Sequence, residues 1–504
     1  MKAWEVHLPP GVPAPAAERR LLESGTLPAA WAARFAAAPE RPVLWSAEAG
    51  WVTAGTLDAA SRRVAARFHR AGLGPGDRVF MSAAASAAYV AAHLGALRLG
   101  LVVVPANTAY REREVAHLVT DAGPAAAVVD DAGRAAWVRR AAGGDVVVVG
   151  PEVDLPEGTG AGLDLDLDAA APSDPALLGY TSGTTGAPKG ALLSHANLLA
   201  TSEAVRLAWR WSPDDRLVLA LPLFHMHGLG VGLHGTLLAG ASVVLLPRFE
   251  TGAVLDAARD HEATLFFGVP TMYSRLAAAP RLGELARLRL CVSGSAPLPP
   301  AVFERVAAGC GHEPLERYGM TETGMNVSNP HDGERRPGTV GFPLPGVQLR
   351  LAGGPTPGEI LLRGPNVFSG YWRNRAATDE AFTDGWFRTG DIGELDADSY
   401  LRIVGRKKEL IITGGLNVYP REVEDVLLTH PGVAEVAVAG VADAEWGEVV
   451  TAWVVPTGEP PGERELLAHA AQGLAGFKCP RSVRFVESLP RNALGKLLRH
   501  QLGN

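Results

Sequence analysis

The chain has 504 residues, too many for one ordinary domain and enough to bury large cores. Its formal net charge of −7 argues against general nucleic-acid binding, so an anionic substrate must be held by local groups and not by the overall field. Hydrophobic residues make up 47 %, but no apolar run is long enough to span a bilayer, and the start lacks the charged-then-apolar order of a signal peptide. Cys291, Cys310 and Cys479 are too widely spaced for a disulfide framework or a zinc ribbon, so a reducing cytoplasm is the expected compartment.

Apolar spacing predicts a helix over Leu57 to Ala71, with Arg62, Arg63 and Arg67 interleaved. Gly76 to Phe80 reads as a turn into a strand, Ala85 to Leu99 as a small-residue helix, and Leu101 to Pro105 as a buried strand. Ala125 to Asp130 and Asp145 to Val149 continue the alternation, which indicates an α/β layered fold. Acidic, glycine-rich Glu157 to Asp168 reads as a surface connection. Ser242 to Leu246 and Thr264 to Phe267 add strands, and Gly346 to Tyr400 reads as a β-rich portion. Charged Gly405-Arg-Lys-Lys408 marks the best domain boundary, giving segments 1–405 and 406–504. The second contains a helix pattern over Pro420 to Leu428 and a strand pattern over Val433 to Ala439.

The most informative segment is Tyr180-Thr-Ser-Gly-Thr-Thr-Gly-Ala-Pro-Lys-Gly190, which follows the apolar run Ala176-Leu-Leu-Gly. It reads as a strand entering a glycine-rich turn. Glycines let backbone N–H groups approach a polyphosphate, hydroxyls add donors, and Lys189 adds a point charge. A Walker loop needs Ser or Thr after Gly-Lys, but Lys189 lies between Pro188 and Gly190, so this is a different phosphate loop.

This loop resembles the signature of the adenylate-forming superfamily, which comprises acyl-CoA synthetases, luciferases and peptide-synthetase adenylation domains. Further motifs follow in order: Leu221-Pro-Leu-Phe-His-Met-His-Gly228, Ser293-Gly-Ser-Ala-Pro-Leu298, Glu316-Arg-Tyr-Gly-Met-Thr-Glu-Thr323, Trp386-Phe-Arg-Thr-Gly-Asp391, Gly405-Arg-Lys-Lys-Glu409, Thr413-Gly-Gly-Leu-Asn417 and Pro490-Arg-Asn-Ala-Leu-Gly-Lys496. Within the superfamily, the run Glu316 to Pro330 is most similar to the malonyl-CoA synthetases. The resemblance implies a large N-terminal domain of layered α/β subdomains with a β-rich portion. A small mobile C-terminal α/β lid would turn about a hinge at Lys408.

The implied chemistry has two steps, with ATP, Mg²⁺ and coenzyme A as co-reactants. A carboxylate attacks the α-phosphorus of ATP, giving acyl-AMP and pyrophosphate, and a thiolate then displaces AMP. By resemblance, Thr181, Ser182, Gly183, Thr184, Thr185 and Lys189 cradle the β- and γ-phosphates, and Thr321 contacts the α-phosphate. Glu322 is the Mg²⁺ ligand. Ser295, Ala296, Pro297, Glu316, Arg317, Tyr318, Gly319 and Met320 belong to the AMP pocket, with Tyr318 offering a ring face. Asp391 and Arg406 take the ribose, and Lys496 is the catalytic lysine. Gly414 and Gly415 line the pantetheine tunnel.

His225 and His227 lack the spacing and partners of a zinc site, and His225 is favoured as the histidine near the acyl carboxylate. Met226 and Met325 are expected to line the acyl pocket. Arg275 and Arg289 are the candidate counter-ions for a second carboxylate, because guanidinium binds carboxylate bidentately. These readings predict a malonyl-CoA, and also methylmalonyl-CoA, synthetase. The alternatives are a ligase for short or medium fatty acids or aryl acids, a carrier-loading or luciferase-like enzyme, and a non-catalytic binder. The expected partners are small molecules: a carboxylate, ATP and CoA, with no nucleic acid, membrane or obligatory protein partner.

Overall fold

The computed structural model describes residues 3–22, 25–144, 146–155, 165–181, 188–354, 357–491 and 497–502. Ser182, Gly183, Thr184, Thr185 and Lys496 lie outside the described residues, as does most of the expected acidic connection. The fold is α/β, and the chain divides into two compact units. The first is Met1–Gln348 with Leu362–Phe387, and the second is Leu349–Leu361 with Arg388–Asn504.

The first unit contains two mixed sheets. In the seven-stranded sheet, Val102–Pro105 runs parallel to Arg78–Ser82 on one side and to Pro175–Thr181 on the other. Every residue of Val102–Pro105 is buried, as an unbroken apolar run covered on both faces requires. The helix Ala87–Arg98 begins where the Ser86 hydroxyl accepts the Tyr89 N–H at 3.1 Å. Toward one side of the sheet, Pro175–Thr181 pairs antiparallel with Lys189–Ser194, with Thr181 opposite Lys189.

The nine-stranded sheet has a parallel centre that includes Arg216–Leu219, Leu265–Gly268, Leu290–Ser293 and Leu315–Met320. Phe266, Tyr273, Leu285, Val302 and Phe303 fill the core on one face. Parallel strands expose their loops at a common end, and ligands bind outside the carboxyl ends. His225, Ser295 and Thr321 all follow such ends.

In the second unit, Val433–Asp443 and Gly447–Pro456 form a long antiparallel pair, extended by Ile411–Thr413 and Leu416–Val418. Helices Pro420–Leu427 and Glu463–Gly473 contribute Val423, Leu427, Leu466 and Ala470 to a core with Ile411, Val436 and Val450. The antiparallel partners Trp386–Leu395 and Leu401–Arg406 put residues before position 405 into this unit as well. Arg499 is pinned to Glu424 and Glu409. No helix of the described residues is long and apolar enough to cross a membrane.

The first unit also buries a group of histidines. His93 and His234 meet Nε2 to Nε2 at 2.8 Å, and His195 is fully buried near His234. Burial pushes His93 down to about 3 and His195 to about 4, and holds His234 well below the ordinary 6.5. All three are therefore neutral in the fold. The unfolded chain binds more protons below the ordinary histidine value, so stability falls as pH drops from about 6.5 toward 4. Thermal melting should show Tm declining through that window, and a Tm that stays constant down to pH 5 would contradict this.

Candidate active site

Lys189 starts the strand Lys189–Ser194, and its Nζ lies 5.3 Å from the centre of the Tyr371 ring. Tyr371 belongs to the two-residue strand Gly370–Tyr371, which pairs antiparallel with Lys189–Ser194. The Tyr371 hydroxyl donates to Glu322 Oε1 at 3.1 Å. Burial and the adjacent Glu322 charge push the Tyr371 phenol above its ordinary value, so it stays a donor. Thr321, next in the chain to Glu322, has its methyl group against Gly179, where an added Cβ would lie 2.6 Å away. The lysine after the glycine-rich turn, the threonine and the buried glutamate are thus gathered around two neighbouring strands. Tyr371, which links two of them, was not anticipated. Only its place beside the aromatic Trp372 marked it in the sequence.

The turn that carries Thr321 and Glu322 is fixed from beneath. Asn366 Nδ2 donates to Thr323 O at 2.7 Å and to Asn326 Oδ1 at 3.0 Å. Gly324, with φ +61°, ends the turn where an added Cβ would lie 2.4 Å from Thr201 Oγ1. Glu322 is 6 % exposed, and no group of three or more His, Cys, Asp or Glu among the described residues could hold a metal. A single buried carboxylate fits Mg²⁺, which takes one or two protein carboxylates and completes its shell with phosphate and water.

Glu316 is buried at 3 % exposure and holds two backbone segments together. Its Oε2 accepts the Leu298 N–H and its Oε1 the Gly338 N–H, each at 3.0 Å. The sequence reading placed Glu316 in the AMP pocket. Its carboxylate braces the Ser293–Leu298 turn through the Leu298 N–H. Ser295 in that turn has φ +72°, a strained conformation for a residue with a side chain. Ala296 is half-buried, Pro297 is exposed, and Tyr318, Gly319 and Met320 are half-buried.

His225 is half-buried and His227 buried. The His227 backbone N–H donates to His225 Nδ1 at 3.2 Å, which leaves the proton of a neutral His225 on Nε2. His227 Nδ1 lies 3.4 Å from Ser295 Oγ. Burial first, then the nearby Arg317 charge, keep the His227 pKa well below its ordinary value. Arg317 is 4 % exposed, and burial lowers its pKa to about 9. Met226 and Met325 are both buried. An added Cβ would lie 2.4 Å from Met226 Cε at Gly230, and 2.3 Å from Met325 Cε at Gly319. Each methionine therefore occupies the space its glycine leaves.

Both arginines expected to receive a second carboxylate lie elsewhere. Arg275 is on the exposed side of the helix Pro270–Ala277, whose buried face carries Tyr273 and Leu276. Arg289 precedes the strand Leu290–Ser293, at the opposite end from the Ser293–Leu298 turn. Its Nε and Nη2 each meet Asp215 at 2.6 Å, and its Nη1 donates to Trp209 O at 3.0 Å, so it is a structural brace.

In the second unit, Asp391 is 4 % exposed and pairs with Arg406, its neighbour across the strands, at 3.0 Å. Lys408 is exposed in the short helical turn Lys407–Glu409. Gly414 and Gly415 form the turn between Ile411–Thr413 and Leu416–Val418, with φ of +55° and +79°. A Cβ on Gly414 would lie 2.8 Å from the Trp446 ring.

With this geometry in place, comparison with known proteins is decisive for the family. The AMP-binding enzyme profile matches residues 31–372, and the AMP-binding enzyme C-terminal domain profile matches 422–496. The chain belongs to the AMP-binding enzyme family. It is 40 % identical over 467 residues to a feruloyl-CoA synthase of Amycolatopsis sp, covering 89 % of this chain and 94 % of that protein. It is 38 % identical over 500 residues to a sulfoacetate–CoA ligase of Cupriavidus necator, with coverage of 95 % and 97 %. A malonate–CoA ligase of Arabidopsis thaliana is 35 % identical over 473 residues, with coverage of 85 % and 78 %. The crystal structure of ATP-bound MatB from Rhodopseudomonas palustris superposes with a TM-score of 0.87 at 40 % identity, covering 95 % of this chain and 98 % of that one. Like its relatives in the AMP-binding enzyme family, this protein is an acid–thiol ligase that works through an acyl-adenylate, taking ATP, Mg²⁺ and CoA.

Two substitutions probe the bracing. Glu316→Gln leaves an amide NH₂ facing one of two backbone donors, and should cost about 1.5–3 kcal/mol of stability in denaturant melts. A change below about 0.5 kcal/mol would show that the carboxylate braces nothing. Tyr371→Phe keeps the ring beside Lys189 but removes the donor to Glu322. It should lower kcat/KM for ATP by roughly 10- to 100-fold, the equivalent of one hydrogen bond to a charged group, with Tm little changed. Unaltered ATP kinetics would separate Tyr371 from the phosphate site.

Proposed function

We propose that this acid–thiol ligase is a malonyl-CoA synthetase, with methylmalonate as its nearest alternative acid. The observation that carries the reading is that Met226 and Met325, the two side chains expected to line the acyl pocket, are buried against Gly230 and Gly319. The similarity of the run Glu316 to Pro330 to malonyl-CoA synthetases points the same way. Two of the relatives are named for short acids that carry a second acidic group, malonate and sulfoacetate.

In this reading Lys189, Thr181 and the glycine-rich turn hold the β- and γ-phosphates. Glu322, oriented by Tyr371, holds Mg²⁺, which offsets phosphate charge when bound. Thr321 meets the α-phosphate. The turn Ser295–Pro297 and the ring of Tyr318 bound the adenine. His225, with its donor on Nε2, meets the reacting carboxylate. One carboxylate oxygen attacks the α-phosphorus and pyrophosphate departs. In the second unit, Asp391 and Arg406 turn to the ribose hydroxyls. Lys496 steadies the attacking carboxylate and α-phosphate, and Lys408 supplies the hinge between 1–405 and 406–504. The Gly414–Gly415 turn admits pantetheine, whose thiolate displaces AMP to leave the thioester. Aiming fixed donors at developing charge is the largest share of such catalysis.

An aryl-acid ligase is the second reading, because the feruloyl-CoA synthase matches at 40 % identity. Incubation with ATP, Mg²⁺, CoA and equal concentrations of malonate, methylmalonate, acetate, hexanoate and ferulate decides between them by chromatography of the CoA thioesters. Malonyl-CoA should predominate. Predominant feruloyl- or hexanoyl-CoA would replace the malonate reading while keeping the adenylating chemistry.

A further inference from the structure

One helix of the first unit, Glu112–Ala122, reaches the strands on both sides of the glycine-rich turn. His117 and Asp121 stand one turn apart on the same face of this helix, and both are half-buried. The Tyr180 hydroxyl, in the strand that enters the turn, donates to Asp121 Oδ2 at 2.5 Å. His117 Nε2 lies 3.0 Å from Pro188 O, on the residue before Lys189. A carbonyl only accepts, so His117 carries a proton on Nε2. The His117 and Tyr180 rings also meet edge to face, with centroids 6.2 Å apart.

The end of the same helix also holds a third strand, the one that carries Tyr371. Asp121 O accepts the Trp372 indole N–H at 3.1 Å, and the Trp372 backbone N–H donates to Gly190 O at 2.7 Å. Trp372 follows Tyr371, whose hydroxyl donates to Glu322, and Gly190 follows Lys189. Peptide units are planar, so fixing Pro188 O and Gly190 O fixes the backbone on both sides of Lys189. Helix stability does not account for the acid. Asp121 lies in the last turn, where a negative charge opposes the helix dipole, and the helix is already closed by Gly123 with φ +57°. Burial, and then the Asp121 carboxylate, push the Tyr180 phenol above its ordinary value, so it keeps its proton and goes on donating.

We propose that His117 and Asp121 are positioning residues for the adenylation step. By holding Pro188 and Tyr180 they set the spacing of the two strands beside the glycine-rich turn, and so fix Lys189 where it meets the phosphates that leave as pyrophosphate. Both act through other residues, His117 through the backbone of Lys189 and Asp121 through Tyr180 and Trp372. The inference rests on the reading in which Lys189 holds the β- and γ-phosphates.

The test compares full-length wild type with His117→Phe and Asp121→Ala, and with the conservative variants His117→Gln and Asp121→Asn. Gln keeps an N–H near the place of Nε2, and Asn keeps an oxygen that accepts from Tyr180. Adenylation is followed as ATP–pyrophosphate exchange with the acid that wild type activates best. Thioester formation is followed separately from the purified acyl-adenylate and CoA, a step that involves no β- or γ-phosphate. His117→Phe and Asp121→Ala should each lose roughly 10- to 100-fold in kcat/KM for ATP and raise KM for pyrophosphate, as a small misplacement of a charged group produces. KM for the acid and the rate from the acyl-adenylate should stay within about 2-fold of wild type. His117→Gln and Asp121→Asn should recover most of the exchange rate. Equal losses in both half-reactions would overturn the inference in favour of a general structural role, whatever the variants' melting temperatures. Exchange kinetics unchanged in either His117→Phe or Asp121→Ala would overturn it while leaving the phosphate role of Lys189 intact. Unchanged exchange in Lys189→Ala would overturn both.

Discussion

The buried carboxylate of Glu316 is the constraint on which the site depends. It takes the N–H groups of Leu298 and Gly338, and so fixes the Ser293–Leu298 turn to the strand that carries Arg317 and Tyr318. A strand alternates its side chains, so pinning Glu316 on one face sends Arg317 to the other. There the guanidinium lies against Gly294, and the next residue, Ser295, reaches His227. The strained φ of Ser295 is tolerated because both ends of the turn are held. Three motifs distant in sequence meet through this one buried acid.

A protein with a net charge of −7 that handles a polyphosphate and an acid must place its cations one at a time. Position along a parallel strand decides their use. Arg289 stands before its strand and is consumed by Asp215, where a charge pair holds the starting ends of the central strands. Lys189 stands at the mouth of the glycine-rich turn, over a tyrosine ring that also serves Glu322. Arg317 lies inside, against bare backbone. The same residue type is thus paired with an acid at one end of the sheet and packed on backbone at the other.

Much of this was legible in the sequence. Unbroken apolar runs such as Val102–Pro105 become buried parallel strands, and the helices expected near Leu57 to Ala71 and Ala85 to Leu99 form as Ala54–Arg70 and Ala87–Arg98. Three of the motifs, at His225, Ser295 and Thr321, follow the carboxyl ends of strands in the nine-stranded sheet, where α/β sheets take their ligands. Side-chain direction was not legible. Arg275 sits one residue from buried Leu276 in its helix, yet points to solvent, because helix faces change with each step of about 100°. Tyr371 was missed because its pairing with Lys189–Ser194 joins positions some 180 residues apart, and no local pattern encodes it. The presence of residues 388–405 in the second unit has the same origin, since the partners of the strand Trp386–Leu395 include the later strand Leu401–Arg406.

A crystal structure of the enzyme with malonate and AMP bound would test the central claim most directly. The account predicts malonate beside Met226 and Met325, with Glu316 still accepting the Leu298 and Gly338 N–H groups behind the Ser293–Leu298 turn. The reacting carboxylate should lie toward His225. Malonate bound away from His225, Met226 and Met325, or a Ser293–Leu298 turn released from Glu316, would contradict it.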